Sequence, residues 1–197
     1  KRMTESGLDS FIRVFPRRFV LAPGASQTVR VQALPMPSRG DGLFWTRAIV
    51  SSNQVASDVG QRDSTAIGAV FSYVLEQSIP IFYKKGKPST GIEFVGLTPH
   101  RQDNELSLTM NVRRDGTSPF LGTIHTDLID AAGNVVRSNS SVSFLYYLEW
   151  RKVNFDVEGL PSGTYTVSMR FETQRRDMAP TDLVQAPTQT HSVTITL

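Results

Sequence analysis

Apolar residues in this chain recur at every second position, in one short run after another. Leu106, Leu108, Met110 and Val112 alternate with Ser107, Thr109 and Asn111. Val142, Phe144, Tyr146 and Leu148 do the same, followed by Val153, Phe155 and Val157. Tyr165, Val167, Met169 and Phe171 repeat the pattern, and Val193, Ile195 and Leu197 end the chain with it. A period of 2 puts alternate side chains on one face of a strand. Turn-forming residues separate the runs roughly every 10–15 residues, and no segment carries a 3.6 period. The expected fold class is therefore all-β, with antiparallel sheets packed as sandwiches.

The first half is less regular. Phe11–Val31 has room for two short strands, one through Phe19, Val20 and Leu21 and one through Gln27–Gln32, where Val29 and Val31 share a face. Between them Ala22-Pro23-Gly24 reads as a turn, with Pro fixing φ and Gly free to take φ > 0. Leu43–Ser51 is the next strand, and Ser52–Ala66 is polar without periodicity. Lys84–Ser89 combines charge, Gly and Pro and reads as a boundary between two domains, residues 1–86 and 87–197.

Before that boundary lies Gly68–Tyr83, GAVFSYVLEQSIPIFY. Its odd positions include Ala69, Phe71, Tyr73, Leu75, Ile79 and Ile81, and its even positions include Val70 and Val74. A strand apolar on both faces needs cover on both. One face can take the domain's own core, and the other a second sheet or a partner. The pattern alone leaves that choice open.

Composition removes several functions. The chain has 197 residues and no cysteine, so disulfides, thiolate metal sites and cysteine nucleophiles are excluded. The net charge of +3 is spread along the chain, and no aromatic–basic RNA motif is visible, so no nucleic-acid partner is expected. His100, His125 and His191 lack the spacing of a metal motif. GxSxG, HExxH and phosphate-loop signatures are missing, so neither an enzyme nor a small-molecule substrate or cofactor is expected. Leu160-Pro-Ser-Gly163-Thr-Tyr165 fits the tyrosine corner that precedes the penultimate strand of an immunoglobulin-like sandwich.

Two stretches resemble a known family. Val14–Arg30, VFPRRFVLAPGASQTVR, resembles the P-x-x-x-x-L-x-P-G-x-x-Q-x-V-R segment of periplasmic pilus-assembly chaperones, the PapD-like family. Leu43-Phe44-Trp45 and Ile79-Pro80-Ile81-Phe82-Tyr83 resemble two later strands of the same domain. The resemblance spans about residues 11–85. It implies two immunoglobulin-like domains with a cleft between them, in the bacterial periplasm. Such chaperones cap pilin or fimbrial subunits by adding a strand to them, and an outer-membrane usher is a further expected partner. By position the donor residues would be Ala69, Phe71, Tyr73 and Leu75.

The chain departs from that family in two places. Some ten residues precede the match, so the opening strands are expected to be truncated or supplied otherwise, for example by a homodimer through exposed or swapped edge strands. The lysine that anchors a subunit's terminal carboxylate in the family aligns with Pro80, which leaves Arg47, Lys84 and Lys85 as candidate basic residues of the cleft. The rival reading is a structural or adhesive immunoglobulin-like surface protein that never donates a strand. A third is a peptide-docking domain like those of the major sperm proteins, against which the second sandwich argues.

Overall fold

A computed structural model describes residues 7–53 and 74–197. The fold is all-β, with eleven strands among the described residues and helix limited to two single 3-10 turns. The chain divides into two compact units. The first is Lys1–Pro37 with Phe44–Tyr83, and the second is Ser38–Leu43 with Lys84–Leu197. The division falls just before the expected boundary stretch. Ser38–Leu43 joins the second unit because its polar groups are tied there. Asp41 Oδ2 accepts from the Lys87 N–H at 2.9 Å, and the Leu43 N–H donates to the Thr117 carbonyl at 3.2 Å.

The first unit holds β1 (Ile12–Phe15), β2 (Arg30–Ala33), most of β3 (Gly42–Asn53) and most of β4 (Val74–Lys85). β1 pairs antiparallel with β2, and β3 pairs with β4. The expected strand at Phe19–Leu21 is not formed. The first strand starts earlier, where Ile12 reaches the core, and residues 17–29 run exposed outside any strand. The expected turn is formed. Gly24 has φ of 75°, and the Ala25 N–H donates to the Ala22 carbonyl at 3.0 Å. The core is small: Leu8, Met36 and Phe44 are buried, with Phe11, Ile12, Ile81 and Tyr83 packed on them.

The second unit is a sandwich. One sheet has the order β5 (Gly91–Gln102), β6 (Glu105–Asp115), β9 (Leu148–Asp156). The other has the order β11 (Gln189–Thr196), β10 (Thr164–Glu172), β7 (Phe120–Ile129), β8 (Val135–Leu145). All the pairings are antiparallel. One core joins the two sheets, with Leu106, Leu108, Met110, Val112, Val153 and Phe155 from the first meeting Ile124, Leu128, Val167, Met169 and Phe171 from the second. Ile124 and Leu128 apart, these are the residues whose alternation announced the strands. The Tyr165 hydroxyl donates to the Pro161 carbonyl at 2.8 Å, which makes the expected corner.

The run Val142–Leu148 is a correction. It is not one strand: β8 ends at Leu145 and β9 begins at Leu148. Its phase is also reversed, since Ser143 and Leu145 are buried while Val142, Phe144 and Leu148 are exposed. Phe144 lies on the outer face, under the Arg175 guanidinium at 3.9 Å. A cation stacked on its ring gives that aromatic partial cover outside the core.

Candidate functional site

β4 is the strand on which the sequence placed the site. Ile81 and Tyr83 pack on the core of the first unit. By the period of 2, Leu75 and Ile79 lie on that same face. Yet Leu75 is 56% exposed and Ile79 is 50% exposed. One face of one strand is therefore core at its C-terminal end and uncovered at its N-terminal end. On the opposite face Val74 is 58% exposed.

The edges of β4 are unequal too. Ser51 Oγ donates to Glu76 Oε1 at 2.9 Å, near the end of β3 and the start of β4. Phe44, near the start of β3, shares a core cluster with Ile81 and Tyr83, near the end of β4. The two contacts run in opposite senses, so the pair is antiparallel. β4 belongs to a two-stranded sheet, so among the described residues only one of its edges is hydrogen-bonded to a strand. Pro80 agrees with an edge position, because a residue without an N–H is tolerated where one side of the strand carries no ladder.

Of the four expected donor residues, Leu75 is the one described, and it is exposed as a donor requires. Ala69, Phe71 and Tyr73 lie outside the described residues. Ile79 is an addition. It shares the parity of Leu75, and that parity was the signal that could have included it. The three basic candidates fall in different settings. Arg47 is exposed on β3 in the first unit, and Lys84 is exposed at the end of β4 in the second. Lys85 is half-buried, and its Nζ donates to the Arg39 carbonyl, so it holds the Ser38–Leu43 segment.

The histidines have structural surroundings. His125 faces Glu172 at 3.3 Å on the outer face of the sandwich. His191 stacks on Phe94 with ring centroids 4.9 Å apart and meets the edge of Phe171. It is thus a ring-packed residue at a sheet edge. A groove of about 570 Å³ in the second unit is lined by Asp103, Glu105, Asp156 and Glu158 among others. Arg137 donates to the carbonyls of Asp156 and Glu158 beside it. Among the described residues no group of three His, Asp or Glu side chains converges as metal ligands.

No family model, no curated protein and no solved structure matches the chain.

Proposed function

We propose that this chain is a periplasmic, chaperone-like protein of two immunoglobulin-like sandwiches that caps an incomplete pilin-type subunit by β-strand addition. The observation that carries the reading is β4, with one edge unpaired among the described residues and with Leu75 and Ile79 exposed on the face that Ile81 and Tyr83 use for packing. The resemblance of Val14–Arg30 and Ile79–Tyr83 to pilus-assembly chaperones supports the same reading.

A subunit short of one strand has an open groove between two sheets. The edge of β4 away from β3 supplies main-chain hydrogen bonds to that groove, and alternate side chains fill its pockets. Phe71 and Tyr73 extend the series of Leu75 and Ile79 by parity. Pro80 has no N–H to offer, so it marks where an added ladder is interrupted. Lys85 is engaged by a carbonyl, so of the three basic candidates Arg47 and Lys84 are the ones exposed to meet a subunit carboxylate, each on its own unit.

The test is capture. A pilin-type subunit lacking its final strand, refolded with the chain, should stay soluble and elute with it as an equimolar complex. Aggregation of that subunit to the same extent with and without the chain overturns the proposal and favours the structural-module reading.

A further inference from the structure

Between β1 and β2 the chain runs through residues 16–29, RRFVLAPG in its middle, without strand or helix. Every residue from 17 to 29 is exposed. Phe19, Val20 and Leu21 form a consecutive apolar run just before the Ala22–Ala25 turn, and Val20 is 83% exposed. Arg17 and Arg18 precede the run. On the adjoining sheet Phe15, 75% exposed, sits directly opposite Arg30, and Arg13 shares their face. Asp9 is the sole acidic residue between positions 7 and 37, and it accepts a hydrogen bond from Thr46. No side-chain hydrogen bond or ion pair engages Arg13, Arg17, Arg18 or Arg30 among the described residues.

We infer that this loop and the β1–β2 face dock on the surface of an anionic phospholipid bilayer. Four guanidinium groups without an acidic partner among the described residues, two of them next in sequence to the apolar run Phe19–Leu21, ask for a partner that is negative at its surface and apolar just beneath. A lipid headgroup layer over acyl chains has that profile, and it demands no matching shape. A nucleic acid offers the charge but no place for Val20 and Leu21. A protein partner of comparable strength would meet a packed pocket, and every residue of this loop from 17 to 29 is exposed, so it offers none. The Arg side chains are suited to phosphate through their paired N–H donors. The inference uses none of the residues assigned to subunit capture, so the two proposals stand or fall separately.

The test is sedimentation of the purified chain with phosphatidylglycerol–phosphatidylcholine vesicles and with pure phosphatidylcholine vesicles. Binding is expected to the anionic vesicles, weakening as salt is raised. Each arginine near such a surface contributes roughly fivefold in partitioning, so Arg17→Ser with Arg18→Ser should weaken binding roughly 25-fold. Phe19→Ser with Val20→Ser should weaken it as well, through the lost apolar insertion. All four side chains are exposed, so unchanged circular dichroism is expected of both variants. Arg101→Ser with Lys152→Ser, on the second unit, should bind like the parent. Failure to bind anionic vesicles overturns the proposal. So does binding that survives both loop variants, or binding equal on neutral and anionic vesicles.

Discussion

If the N-terminal end of β4 is a surface for a partner, its side chains should matter little to the chain's own stability and much to capture. Fully burying a Leu or Ile side chain is worth about 1.5–3 kcal/mol. Leu75 and Ile79 keep 56% and 50% of their surface exposed, so about half of that stabilisation remains for a partner to supply. The two together then offer about 1.5–3 kcal/mol, and Leu75→Ala with Ile79→Ala should weaken subunit binding by about 10- to 150-fold. Ile81→Ala is the internal control. It has the same parity but packs on Leu8, Met36 and Phe44, so it should lower stability by about 2 kcal/mol or more. Titration calorimetry with a subunit lacking its last strand gives the binding term, and urea unfolding gives the stability term. A double variant destabilised as much as Ile81→Ala would refute this, because Leu75 and Ile79 would then belong to the chain's own core. Unchanged binding would refute it equally.

Other consequences concern the scaffold. A Cβ on Gly122 would lie 2.1 Å from the Glu172 carbonyl oxygen and 2.7 Å from the Phe120 ring, so Gly122→Ala should cost about 1–3 kcal/mol, read as a lower urea midpoint at constant slope. Tyr165→Phe removes the corner hydrogen bond and should cost about 1 kcal/mol in the same assay. The Asp130 carboxyl is held below its ordinary value, first by the backbone N–H of Asn134 and then by that residue's side chain. A depressed carboxylate stabilises the fold above its unfolded value, near 3.8, and that contribution fades as pH falls through the lower folded value. Asp130→Ala should therefore reduce amide protection at Ala132 and Asn134 at neutral pH, and the difference from the parent should shrink on acidification below that point.

Where alternation was clean, the sequence stated the structure. β6, β9 and β10 have their predicted inner residues inside, because one solvated face and one core face leave a plain period of 2. β5 was missed for a physical reason. Its register shifts between Phe94 and Gly96, so Ile92 and Phe94 fall on one parity and Leu97 on the other. A bulge of that kind erases the period while keeping the face. The phase of Val142–Leu148 was misread because Phe144 finds its cover in Arg175, some thirty positions on, which no local pattern contains. In the candidate site the parity of Leu75, Ile79 and Ile81 was legible, but the change from exposed to packed along that face was not. It depends on where Leu8 and Met36 arrive from distant parts of the chain.

The most direct test of the central claim is amide hydrogen exchange across Val74–Ile79, measured on the monomeric chain alone and again with a pilin-type subunit bound. An open donor edge predicts fast exchange at the amides that point away from β3, and strong protection of those same amides in the complex. Full protection in the isolated monomer would mean that both edges of β4 are already paired within the chain, and the strand-addition account would be wrong.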